Sequence, residues 1–193
     1  MHRAFIAMVA LALGIPDARI AAQTPQTLRQ AIVGTWRLVA ARQRLTDGSV
    51  RPDPQPGARG VGYIMYDPTG HMCVVLANPD RPAWKAPKSP TDAEVRSAFE
   101  GLVAYCGAYE TNEERHYVIH HVEADREPAL LGTDRTRLAT VTATRLVLRP
   151  LDLPPGVAEW TVSARGTPSP STTTTSLLPL PRLVLPTHRP LFF

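Results

Sequence analysis

Apolar and polar positions exchange at every second residue along 31–45, AIVGTWRLVAARQRL. Trp36, Leu38 and Ala40 fall on one side, and Arg37, Val39 and Ala41 on the other. A period of two predicts a β-strand. TDGS at 46–49 carries turn residues, and RPDPQPGARG at 51–60 holds too many prolines for a central strand, so it reads as a loop. Two apolar runs, 61–66 and 71–77, flank DPTG, whose proline and glycine sit where a type I turn wants them. That is the clearest hairpin in the chain. On its second strand Met72, Val74 and Leu76 share one face, while His71, Cys73 and Val75 share the other.

The period then changes. After the proline-broken loop PDRPAWKAPKSP, Thr91 and Glu94 have the spacing of a capping box, and Val95, Phe99, Leu102 and Cys106 recur as one helical stripe. A helix is predicted over 92–104, its stripe covering a sheet or the opening of a barrel. Strands are predicted again at 107–111, 116–124, 132–141 and 145–150. The domain so outlined is mainly β.

Both ends differ from this middle. MHR, the short apolar run AFIAMVALALGI and the small residues before Gln23 have the order of a secretory signal peptide over 1–22, although Asp17 and Arg19 crowd the cleavage region and a buried N-terminal helix would share the pattern. Export to a periplasm or to the outside follows from the first reading. No later apolar run has the length of a membrane span. Residues 164–193 form a low-complexity tail rich in Pro, Thr and Ser, with no acid, whose composition predicts disorder. A shifted reading frame in a GC-rich gene would yield the same mixture, and would leave the domain at 23–163 with a damaged last strand.

The sequence pI of about 9.4 comes from those ends. With them set aside, basic and acidic residues balance, so there is no basic stripe and nucleic acid is excluded as a partner. Cys73 and Cys106 could pair in an oxidising compartment, but nothing in their spacing demands a bridge, and they are read as free thiols. No CxxC, HExxH or Cys/His cluster suggests a metal site, no motif implies a cofactor, and none fixes an oligomeric state.

IVGTWRLVAA, GYIMYDPTGHMCVVLANPDRP, AFEGLVAYCGAYE, HHVE and GTDRTRL occur in that order. Together they resemble the bacterial and fungal lipocalin-like domain family over residues 31–150. The resemblance implies an antiparallel β-barrel of about eight strands with one helix at or beside its mouth, and no single established activity. It also implies that Trp36 closes one end of the barrel. The chain departs from the family's pattern at Cys106, where an aromatic is usual, and after GVAEWTVSARG, where Trp160 stands for the tryptophan of the last strand.

Candidate site residues follow from the alternation. On HYVIHHVEAD, Val118, His120 and Val122 share a face without charge, which reads as interior; Tyr117, Ile119, His121 and Glu123 share the other. A slip of one residue would reverse the assignment. The cavity is then lined by Met72, Val74, Leu76, Val118, His120 and Val122, with Tyr66, Tyr105 and Tyr109 as neighbours of the histidine. An inward His120 would anchor a small hydrophobic ligand, or merely bond a tyrosine and touch no ligand. Arg81, Asp134 and Arg135 could face an acidic ligand at the mouth, with surface ion pairs as the plainer reading. His71 reads as exposed, and Met72 more readily as core than as ligand contact, though its flexibility would suit a variable guest. Three functions stay open: binding of a small hydrophobic molecule; an isomerase, cyclase or hydrolase using His120 as general acid or base, though no GxSxG or paired acid is present; and a structural barrel with a filled core.

Overall fold

The computed structural model describes residues 26–168 apart from Pro87. The expected signal peptide and the tail beyond Pro168 lie outside the described residues. A short helix, α1 (Leu28–Ile32), leads into β1 (Gly34–Leu45), β2 (Val50–Pro52), β3 (Val61–Tyr66) and β4 (His71–Ala77). Helix α2 (Asp92–Glu100) then precedes β5 (Leu102–Asn112), β6 (Tyr117–Asp125), β7 (Asp134–Val141), β8 (Arg145–Pro150) and β9 (Val157–Pro168). Each of β3 to β9 pairs antiparallel with the next, β3 pairs with the first half of β1, and β9 returns to pair with β1 along its whole length. The result is a closed barrel of eight strands, with β2 added beside the second half of β1. Closure leaves β9 no free edge, so the damaged last strand considered above is not found. The strand also runs past the 163/164 boundary set from composition.

The alternating residues meet inside. Trp36, Leu38, Ile64, Tyr66, Met72, Val74, Leu76, Tyr105, Tyr109, Val118, Val122, Ala139, Leu146 and Leu148 form one core with the two buried residues of α1, Leu28 and Ile32. Strand β1 breaks its own alternation. A bulge between Leu38 and Ala40 leaves Val39 exposed, and the inward set continues as Ala41 and Gln43. Ala40, expected to share a face with Trp36 and Leu38, therefore belongs to the irregularity and not to the core.

One end of the barrel is plugged. Trp36 is fully buried and its indole N–H donates to the Ile32 carbonyl at 2.8 Å, which ties β1 to α1. Glu113, in the turn after β5, accepts from the free N–H groups of Leu28 and Arg29 in the first turn of α1 at 2.6 and 3.1 Å. Arg29 lies 4.4 Å over the Tyr109 ring and donates to the Tyr109 carbonyl. The plug predicted for Trp36 is present, and α1, which no periodicity announced, is what it closes against.

At the other end strand termini and longer loops gather, and α2 lies there. Its capping box forms as the sequence indicates, with Glu94 N–H donating to Thr91 Oγ1 at 3.3 Å and Thr91 N–H to Glu94 Oε2 at 2.8 Å. The expected length and stripe are corrected. The helix stops at Glu100, Leu102 and Cys106 lie on β5, and Val95 and Phe99 are 47% and 45% exposed. Gly101 ends it, and the Asn78 N–H draws the Gly101 carbonyl onto the end of β4. Phe99 is held from the side by Arg126, whose guanidinium stacks on its ring at 4.2 Å.

The cysteines are also corrected. Cys73 and Cys106 stand directly opposite each other on β4 and β5, with Cα atoms 4.1 Å apart, and form a disulfide. Neither strand was distinguishable as its partner's neighbour from spacing alone, because the helix and a long loop intervene.

The tightest backbone approach falls at Gly107, where β5 shifts register against β6. A Cβ there would run into the His121 carbonyl oxygen, which is backbone and cannot move aside. Gly132, by contrast, has open space around it and a φ of +72°. Gly107→Ala should therefore cost about 3 kcal/mol or abolish folding, whereas Gly132→Ala should cost about 1 kcal/mol from backbone strain alone. Chemical denaturation of the two variants checks this, and equal losses would contradict it.

Candidate functional site

The histidine pair divides as the strand's alternation requires. His121 faces out, with Nδ1 2.7 Å from Asp134 and Nε2 3.9 Å from Glu110. His120 faces in and is 0% exposed. Both its ring nitrogens are engaged: Nε2 with the Tyr66 hydroxyl at 2.8 Å and Nδ1 with the Tyr105 hydroxyl at 2.9 Å. A neutral imidazole has one donor and one acceptor, so one of the two hydroxyls donates to it and the other accepts. Burial pushes its pKa well below the ordinary value of 6.5, and Arg137, Arg135 and His121 push the same way. Burial likewise raises both tyrosine hydroxyls.

This chain separates two regions of the interior. Toward the plug, Tyr66, Met72, Tyr109, Val118 and Val122 pack with His120, and Tyr66 meets Tyr109 edge-on at 5.0 Å. Toward the loop end lies a hollow of about 50 Å³. Its apolar wall is Ile64, Val74, Leu76, Val103, Leu148 and Val162. Its polar groups are Asp53 and Gln55 from the loop after β2, Tyr105, Arg135, Arg137 and Trp160. Of the residues proposed from sequence to line a cavity, Val74, Leu76 and Tyr105 line this hollow; Tyr66, Met72, Tyr109, Val118, His120 and Val122 do not, His120 meets it only through Tyr105, and Tyr66 and Met72 instead border an outer cleft. A larger cleft of about 460 Å³ on the outside, beside Gly34, Met65 and His71, is open to solvent and lacks buried polar groups that converge.

The electrostatics of the hollow are unusual for a core. Asp53 is 3% exposed, and burial raises its carboxyl pKa, against the Gln55 N–H at 3.0 Å, the Trp160 indole and Arg51, which favour the charge. The Trp160 N–H is near that carboxylate but closes no hydrogen bond of normal geometry, and is a buried donor without a partner among the described residues. Arg137 is 5% exposed and donates to Asp152 at 2.8 Å and to the Thr136 carbonyl. Arg135 lies 5.1 Å over the Tyr105 ring and makes no side-chain hydrogen bond among the described residues.

Of the mouth residues proposed from sequence, only Arg135 lines the hollow. Asp134 is turned outward to His121, and Arg81 donates to the carbonyls of Asn78 and Ala98, fastening α2. Asp53, Gln55, Arg137 and Trp160 were not found from sequence. Arg137 follows from Arg135 by the same alternation that placed His120, so a signal existed. Asp53 had none, because a proline-rich loop shows no periodicity to mark which residue turns in. Among the described residues no group of acids, histidines and cysteines could hold a metal ion.

The neutral histidine gives a pH dependence of stability. The unfolded chain protonates His120 near 6.5 and the folded chain only well below it, so its contribution is full above 6.5 and is lost as pH falls through that value. The loss should approach about 1.4 kcal/mol per pH unit. His120→Gln keeps a donor and an acceptor but does not titrate. Denaturation at a series of pH values should show a shallower slope in that variant between about pH 6.5 and 5; an equal slope would remove His120 as the cause.

No curated protein matches the chain. A family model described as a lipocalin-like domain matches residues 33–167, which is the barrel from the start of β1 almost to the end of β9. With its closed antiparallel barrel, plugged at one end and hollow at the other, the chain belongs to the lipocalin-like domain family.

Proposed function

We propose that the protein binds a small hydrophobic molecule in the hollow at the loop end of its barrel, in a compartment outside the cytoplasm. The observation that carries this reading is a buried apolar wall with polar groups converging on one end of it, one of them a donor without a partner. That is the composition of a small-molecule site, and lipocalin-like barrels are suited to holding one small guest. Binding energy would come from apolar surface leaving water, about 0.8 kcal/mol for each buried methylene. Val74, Leu76 and Tyr105 would touch the guest. Tyr66, Met72, Tyr109, Val118, His120 and Val122 would serve as the rigid floor behind them. The disulfide suits an oxidising compartment.

The size of the hollow favours a second reading. About 50 Å³ is well below the roughly 300–1,000 Å³ of typical ligand sites. A guest must be compact or must displace side chains, and a barrel with a filled core fits the packed half equally well. The enzyme reading has less support, because both nitrogens of His120 are used and Tyr105 stands between it and the hollow.

Native mass spectrometry of protein exported to a bacterial periplasm, together with titration by toluene, separates the two. Binding predicts an additional organic mass, or a toluene-dependent change in Trp160 fluorescence, that Val74→Phe removes while Tm moves by less than about 5 °C. A bare mass with no response to toluene, and a Val74→Phe variant more stable than the parent, would establish the filled barrel instead.

A further inference from the structure

Granting that the hollow binds a guest, we infer that the guest carries a carboxylate, or an equivalent anionic oxygen head, on a compact apolar body, and that Arg135, Arg137 and the Trp160 N–H receive that head. The polar end of the hollow gathers three donor groups, Arg135, Arg137 and Trp160, around a single carboxylate, Asp53. Arg135 makes no side-chain hydrogen bond among the described residues. Arg137 commits one guanidinium nitrogen to Asp152 and Thr136. The Trp160 N–H is buried beside the Asp53 carboxylate without a hydrogen bond among the described residues. A buried donor left unmade costs about 1–3 kcal/mol, so an occupant that supplies an acceptor recovers more here than it would on a surface.

A carboxylate matches this set. It is acceptor-only, with two oxygens that can take a guanidinium fork and an indole N–H together. Two of the donors stand two residues apart on β7, so they share its inward face, and Trp160 reaches the same small hollow from β9. Arg135 is pre-positioned by the Tyr105 ring, which limits the freedom it would lose on binding. The apolar wall opposite fixes the rest of the guest as hydrocarbon.

Asp53 faces the same space and is the one group that would favour a cation. Its carboxylate already accepts from Gln55, and Arg51 lies within electrostatic reach. Arg135 and Arg137 would repel a cation entering beside it.

The test compares butanoate, hexanoate and octanoate with the matching 1-alkanols and alkylamines on the full-length protein, by calorimetry and by the Trp160 indole N–H signal in nitrogen-15 NMR. The expected result is an alkanoate preference of about tenfold or more over the alkanol of equal length. Its indole signal should move downfield as the N–H gains an acceptor. Arg135→Gln should collapse the alkanoate-to-alkanol ratio toward unity, Arg135→Lys should restore it in part, and Trp160→Phe should reduce it while keeping an aromatic ring in the wall. Alkanols or amines binding as tightly as alkanoates would overturn the anionic head and leave the binding reading intact. No binding by any series would overturn both.

Discussion

The ladder between β1 and β9 is the constraint on which the rest depends. An antiparallel row of strands from β3 to β8 is a twisted sheet with two open edges, and neither face of it is an interior. Pairing the whole of β1 with β9 turns one face inward at every strand. Every inward residue then needs a neighbour across the barrel as well as along it. The ladder is not uniform, and its bulge at Val39 has a consequence. With unbroken alternation Ala40 would point in together with Trp36 and Leu38; the extra residue switches the inward set to Ala41 and Gln43. The start of β1 thus carries the large indole that fills the plugged end. Its second half carries a small residue and a polar one, where the hollow begins.

The two halves of the interior differ in how their polar groups are treated, and this difference is the strongest clue to what each half does. In the plugged half every buried side-chain polar group named above has a partner: the Trp36 N–H with Ile32, Tyr109 with the Asp67 carbonyl, and His120 with two tyrosines. Such a network specifies one packing and leaves nothing to offer a guest. In the loop half the buried Trp160 N–H has no hydrogen-bond partner among the described residues, Arg135 makes no side-chain hydrogen bond among them, and Asp53 is buried against its own preference for water. Tyr105 belongs to both. Its hydroxyl completes the histidine chain, and its ring supports Arg135. The chain therefore fixes the position of the hollow's polar end without itself being exposed there.

Much of this was legible in residue order, and the limits are instructive. The 61–77 hairpin, the capping box at Thr91 and the inward turn of His120 each rest on local rules, turn chemistry or strict alternation, that tertiary contacts had no reason to override. The helix was over-extended because Leu102 and Cys106 continue its period by coincidence, and Gly101 was the signal that should have ended it. The disulfide depended on which strands become neighbours after α2, a long-range fact. Helix α1 is too short for any period to mark it, and it is held by Glu113, far along the chain. The site suffered most. It was expected around His120 because paired histidines stand out in a sequence. The hollow instead collects its polar groups from the ends of β7 and β9 and from a proline-rich loop, positions that only barrel closure brings together.

Closure also explains why the donors of the hollow can stay unpaired. A buried donor in a flexible region would rotate to water or draw a backbone carbonyl toward it. Trp160 has neither option. It sits in β9 opposite Gln43, clamped between two ladders, one to β1 and one to β8 a few residues further along. Arg135, which is only half-buried, stands opposite His120 at the start of β7 with the Tyr105 ring beside it. The disulfide reinforces the wall from outside, joining β4 and β5 beside Val74 and Tyr105 without adding an atom to the interior. Rigid walls with unmet donors are the physical condition for preorganised recognition, since the cost of orienting the groups is met on folding and not on binding. A filled barrel has no need of an unmet donor: the buried Trp160 N–H costs about 1–3 kcal/mol, which an apolar side chain of similar volume would remove.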